Sequence, residues 1–141
     1  MGYRSDVVAV FYNIVTGDEE KDKRNLAMLD MFVRENFPEP LLKEGDVEDG
    51  MRRIEEKKNR VIYEFKNTGV KWYEGYEEVK AFDAFWEKFC ELADESQEGD
   101  EPVDWACEFT RLGENTDDIE EKSSNEAEWL LQVSRVIDTN Y

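Results

Sequence analysis

The segment Asp6-Val7-Val8-Ala9-Val10-Phe11-Tyr12-Asn13-Ile14-Val15 constrains the fold more than any other stretch of the chain. Apart from Asn13 it is apolar on both alternating faces. Val7, Ala9 and Phe11 fall on one, and Val8, Val10, Tyr12 and Ile14 on the other. β-branched and aromatic side chains suit a pleated, packed surface. A strand that is apolar on both faces must be covered on both. That places it in the middle of a sheet, with later strands pairing on either side.

The rest of the chain supplies partners and cover. Thr16-Gly17-Asp18 reads as a turn and helix start, with Asp18, Glu19, Glu20 and Asp22 where the helix dipole favours anions. Leu26, Leu29, Val33 and Phe37 recur at spacings of three and four, Met28 and Phe32 widen the stripe, and Pro38 and Pro40 end it. Leu41-Leu42 is expected to tuck back onto the core. After a polar loop, residues 51–57 read as a charged edge strand, Lys58-Asn59 as a turn and residues 60–66 as an alternating strand. Asn67-Thr68-Gly69 then reads as a second turn and residues 70–73 as a third meander strand. Arg52, Arg53, Lys57, Lys58 and Arg60 form a basic cluster at the meander tip, diluted by Glu55 and Glu56, and it reads as a solvated hairpin rather than a phosphate site.

Residues 77–93 carry the strongest helical pattern. Val79, Phe82, Trp86, Phe89 and Ala93 share a stripe that Phe85 and Leu92 broaden, an aromatic face expected to lie across the sheet near Phe11. A linker of Asp, Glu, Ser, Gly and Pro follows. Residues 103–112 and 128–138 alternate as strands, and the acidic segment 113–127 between them reads as an extended loop. The predicted architecture is a single α+β domain over residues 1–141. It has a ferredoxin-like βαββαβ core, two helices on one face of an antiparallel sheet, an added meander strand and a C-terminal hairpin strand. Val10, Tyr12 and their neighbours are left on the other face for another element or a partner to cover.

Charge points to partners. The chain has 18 basic and 36 acidic side chains, a net charge of −18, and no histidine. Residues 1–70 hold 12 basic against 15 acidic side chains, whereas residues 71–141 hold 6 against 21. Such a field repels nucleic acid and anionic lipid and attracts basic surfaces. Lack of histidine removes the commonest general base and metal ligand. No glycine-rich phosphate loop, zinc signature or EF-hand spacing is present, and no run is long and apolar enough to span a membrane. No cofactor or metal is expected. Cys90 and Cys107 read as buried free thiols in a reducing compartment. RNA recognition by this topology would need a basic sheet and an aromatic recognition motif, neither of which the sequence carries.

Three patches carry a resemblance: Gly2-Tyr3-Arg4-Ser5-Asp6-Val7, Trp72-Tyr73-Glu74-Gly75-Tyr76-Glu77-Glu78-Val79-Lys80-Ala81, and the run from Phe109-Thr110-Arg111-Leu112-Gly113-Glu114 through Asp117-Asp118-Ile119-Glu120-Glu121 to Val133-Ser134-Arg135-Val136-Ile137. In these the chain resembles a group of small acidic bacteriophage-encoded proteins beginning GYRSDV. The resemblance implies origin rather than activity and brings no catalytic residues. Small acidic phage proteins often inhibit host defence or DNA-handling machinery by presenting carboxylates where DNA presents phosphates. The resulting expectation is a non-enzymatic protein of the host cytoplasm that binds a basic host protein, with no direct nucleic-acid or membrane contact. Glu114, Asp117, Asp118, Glu120, Glu121, Glu126 and Glu128 are the expected contacts, with Glu91, Asp94, Glu95, Glu98, Asp100 and Glu101 in a secondary set. The alternatives are a structural or assembly module, dimeric through Val8, Val10 and Tyr12 on an open sheet face, and a carboxylate–metal enzyme.

Overall fold

A computed structural model describes residues 3–38, 50–73, 75–94, 103–115, 117–124, 127–133 and 137–139. The chain runs β1 (Ser5–Asn13), α1 (Glu19–Asn36), β2 (Gly50–Lys57), β3 (Arg60–Val70), α2 (Glu77–Asp94), β4 (Trp105–Gly113), β5 (Ile119–Ser123), β6 (Leu131–Val133) and β7 (Ile137–Thr139). The architecture is α+β. Strands β1 to β5 form one antiparallel sheet in the order β2-β3-β1-β4-β5, and β6 and β7 form a separate antiparallel pair. Among the described residues no helix is long and apolar enough to cross a membrane.

β1 takes the central position that its two apolar faces demand. It pairs with β3 from Ser5 opposite Val70 to Tyr12 opposite Ile62, and with β4 from Ser5 opposite Gly113 to Asn13 opposite Trp105. Val7, Ala9 and Phe11 join Val61, Phe65, Trp105, Cys107 and Phe109 in the larger core, on the side covered by both helices. The Phe11 ring lies 5.0 to 6.3 Å from those of Phe82, Phe85, Trp86 and Phe89, all edge-on. Each such pair adds about 0.5–1.5 kcal/mol beyond burial, so the aromatic stripe of α2 fixes that helix over the middle of β1.

α1 is fastened at its start by its own carboxylates. Asp18 caps it, accepting from the Lys21 amide. Asp22 reaches back to the Thr16 amide and hydroxyl and the Gly17 amide at 2.9, 2.7 and 3.1 Å. These donors, the Thr16 amide foremost, hold its carboxyl below the usual range even against desolvation. The helix stops where expected: Phe37 is extended (φ −69°, ψ 133°) because Pro38 follows it. The buried stripes are narrower than expected, since Met28 and Leu92 are exposed. The basic hairpin is largely neutralised by neighbours. Arg52 pairs with Glu64, Arg53 with Asp30 and Glu55, Lys58 with Glu19, and Arg60 with Glu56 and Glu128.

Four expectations are corrected. Residues 67–69 do not turn: β3 continues to Val70, the Asp6 side chain takes the Gly69 amide at 2.8 Å, and positive φ at Gly69 absorbs the irregularity. The third meander strand is therefore absent, and Trp72 instead packs against Phe65 and Phe82. The acidic segment after β4 contains a strand, β5, on the outer edge of the sheet, where exposed charge is tolerated. Residues 128–138 are not one strand in the main sheet. Leu130 and Leu131 instead close over Val8, Val10, Tyr12, Ile62 and Ala106 as a second core. The chain thus covers its own second sheet face. Val8, Val10 and Tyr12 are at most 5% exposed, so a dimer through that face would find no apolar row there. Leu41 and Leu42 lie outside the described residues.

Candidate functional site

Glu114, Asp117 and Asp118 lie in the turn between β4 and β5, and Glu120 and Glu121 on β5, but several of the expected acidic contacts already have work inside the molecule. Asp118 accepts from the Tyr3 hydroxyl at 2.6 Å and from both terminal nitrogens of Arg111 at 3.1 and 2.9 Å. The Arg111 guanidinium, helped by Tyr3, holds its carboxyl below the usual carboxylate range. Arg111 also bonds Glu120 at 3.3 Å and Ser5 at 3.1 Å. Glycine at position 113 makes this knot possible: a Cβ there would lie 2.1 Å from Asp118 Oδ2 and 2.3 Å from the Tyr3 oxygen. Glu114 accepts from the Arg4 amide at 2.8 Å, and Glu128 pairs with Arg60 at 2.9 Å. Asp117 and Glu121 are exposed and make no ion pair among the described residues. Glu126 and residues 95–101 of the secondary set lie outside the described residues.

Asp118 and Glu120 also line a groove of about 760 Å³ between α2 and the β4–β5 edge. Register determines its composition. Arg111 lies opposite Glu120 and Phe109 opposite Lys122, so these four side chains share the helix-facing side of the edge. Trp72, Tyr73 and Trp86 supply aromatic wall, while Asp83 and Glu87 of α2 add carboxylates on the other bank. Lys122 bends inward, its ammonium 4.7 Å from the centre of the Phe109 ring, 5.1 Å from that of Trp86 and 3.8 Å from Asp83. Faces of aromatic rings bordered by carboxylates suit a cation. Among the described residues no three acidic or cysteine side chains are grouped so as to hold a metal ion.

On the opposite face of the sheet, Glu108 is the residue that sequence reasoning missed. It is 3% exposed and accepts three hydrogen bonds, from the Tyr12 hydroxyl at 2.6 Å and the amides of Leu130 and Leu131 at 2.9 and 3.0 Å. The Tyr12 oxygen in turn accepts the Glu128 amide at 2.6 Å, and the Arg60 guanidinium lies 5.2 Å from the Tyr12 ring centre. Burial, then Glu108, pushes the Tyr12 phenol well up, so it stays a donor. With the amides on both sides captured, Trp129 is turned outward. It is 64% exposed and has φ +57°, a left-handed conformation that a bulky side chain rarely adopts. A buried glutamate among alternating strand residues gives no local sign of this role, because its partners are 22 and 23 positions away.

The thiols also meet. Cys90 Sγ lies 3.6 Å from Cys107 Sγ, with Cys107 buried and Cys90 half-buried, and the two are thiols, not a disulfide. No family model matches this chain, and neither a curated protein nor a solved structure does.

Proposed function

We propose that this chain is a non-enzymatic binding protein that docks its acidic C-terminal half against a basic surface on another protein and keeps nucleic acid from that surface. The observation that carries the reading is the exposure of charge at one edge. Asp117, Glu120 and Glu121 are exposed around β5, in a half of the chain with 21 acidic and 6 basic side chains. An anionic edge of this kind steers association with a cationic cleft and competes with phosphates there. The resemblance to small acidic phage proteins supports a partner in the defence or DNA-handling machinery of an infected cell, met in the host cytoplasm. The order β2-β3-β1-β4, with α1 and α2 as the two connections, supports reading those strands as a ferredoxin-like core to which β5 is added.

The internal knot decides which carboxylates can test the idea. Reversing Asp118, Glu120 or Glu128 would place like charges against Arg111 or Arg60, so loss of binding would be ambiguous. Asp117→Lys with Glu121→Lys leaves those pairs intact. The tagged wild-type chain, used to capture proteins from host lysate, should recover a basic partner at low salt, lose it steeply as salt rises, and lose it in the double variant. Retention of the same partner by the double variant at unchanged affinity would refute the acidic-edge reading.

A further inference from the structure

We propose that the groove between α2 and the β4–β5 edge is a receptor for the ammonium or guanidinium group of a lysine or arginine on a basic polypeptide, and that Lys122 occupies it as an internal stand-in. The inference rests on the reading of a basic partner and names the side chain that partner inserts. Lys122 already demonstrates the chemistry. Its ammonium lies within the ~6 Å reach of a cation–π contact from two rings at once, 4.7 Å from Phe109 and 5.1 Å from Trp86. Asp83 adds a carboxylate at 3.8 Å, within ion-pair range but beyond hydrogen-bond distance.

Two further features make the seat exchangeable rather than sealed. Lys122 stands on the edge strand and keeps 34% of its side chain exposed, so its long stem can swing into solvent without disturbing the ladder to β4. The groove also extends past it, with Trp72 on the wall and Glu87 on the rim. Its charge favours a cation: the lining carries four carboxylates, Asp83, Glu87, Asp118 and Glu120, against two cations, Arg111 and Lys122. An incoming lysine or arginine would take over the rings and the carboxylates while Lys122 leaves, exchanging one cation for another. The internal residue thereby sets the threshold for entry.

The test titrates the full chain with a capped Gly-Lys-Gly-Lys-Gly peptide and with its lysine-acetylated twin, following the tryptophan indole N–H signals by NMR. The Trp86 signal is assigned from Trp86→Phe. The lysine peptide should shift the Trp86 indole and the acetylated peptide should not, an arm that needs no altered protein. Lys122→Ala should bind the lysine peptide about two- to fivefold more tightly, the equivalent of an exposed cation–π contact. Lys57→Ala, which changes net charge equally at a distant exposed site, should not. Asp83→Asn should weaken binding. An unmoved Trp86 signal in both wild type and Lys122→Ala, or equal tightening in Lys122→Ala and Lys57→Ala, overturns the inference. Peptide binding that is abolished by Asp117→Lys with Glu121→Lys but leaves Trp86 unmoved also overturns it, while leaving the acidic-edge reading standing.

Discussion

Glu108→Gln is expected to loosen the C-terminal segment from the sheet while leaving the shape of the side chain unchanged. In the native chain Oε2 accepts the Tyr12 hydroxyl and the Leu130 amide, and Oε1 accepts the Leu131 amide. A glutamine can keep one of these oxygens. If the amide oxygen takes the place of Oε2, its NH₂ group meets the Leu131 N–H, so one hydrogen bond is lost and one buried donor is left without an acceptor. Losing a bond to a carboxylate and stranding a donor together cost about 2–3 kcal/mol. The opposite orientation loses two bonds and is worse. Against a total stability of roughly 5–15 kcal/mol for a domain, this is a large share, and it falls on one segment. Tyr12→Phe removes the hydroxyl donor and should cost about 1.5–2 kcal/mol. The two changes share a partner, so their effects should fall short of additive by at least about 0.5 kcal/mol. Urea unfolding gives the global values, and amide exchange at Leu130 and Leu131 reports the local opening. A Glu108→Gln protein within about 0.5 kcal/mol of wild type, with both amides still protected, would refute the argument that this carboxylate closes the second core.

Four other outcomes follow from the same contacts. Gly113→Ala should cost about 1–3 kcal/mol, because its Cβ would displace Asp118 and Tyr3; an unchanged urea midpoint would count against the knot. Trp129→Gly should stabilise the chain by up to about 1 kcal/mol, since glycine accepts φ +57° freely and an exposed indole buries little; destabilisation by that amount would show that Trp129 packs after all. Mild oxidation should join Cys90 to Cys107 within one chain, detected as a loss of two mass units. It should raise the thermal midpoint, with about 3 kcal/mol available from closing a 17-residue loop; dimers joined by disulfide would contradict the geometry. Acid should destabilise the fold below about pH 4. Burial pushes the Asp30 carboxyl up, but Arg53 and Tyr63 outweigh it and hold it below its ordinary value. A lowered native pKa contributes stability above the unfolded value and loses it as pH falls through the folded one. Asp30→Asn should therefore lower stability at pH 7 and flatten part of the acid loss, and an unchanged acid slope would exclude Asp30 as a contributor.

The elements that could be read along the chain are those whose neighbours in sequence are also their neighbours in space. The doubly apolar β1 specified its own central place. The three-and-four spacing of Phe82, Trp86 and Phe89 specified which face of α2 is buried, and Asp18 and Pro38 marked where α1 begins and ends. Periodicity records burial, and burial of a regular element repeats at short range.

What depended on tertiary structure was the assignment of charge. Asp118 and Glu121 look alike in an acidic run, yet Asp118 is bound by Tyr3, 115 positions away, and by Arg111, while Glu121 makes no ion pair among the described residues. β5 was hidden for a related reason: this edge strand buries no apolar row, and its helix-facing side chains are the charged Glu120 and Lys122, set against Arg111 and the aromatic rings. Glu108 closes the second core through partners beyond any local pattern. A carboxylate has the same sequence signature whether it faces solvent, an arginine or a backbone amide. Only the fold brings those groups within reach and so separates the charges that hold the molecule together from those left for a partner.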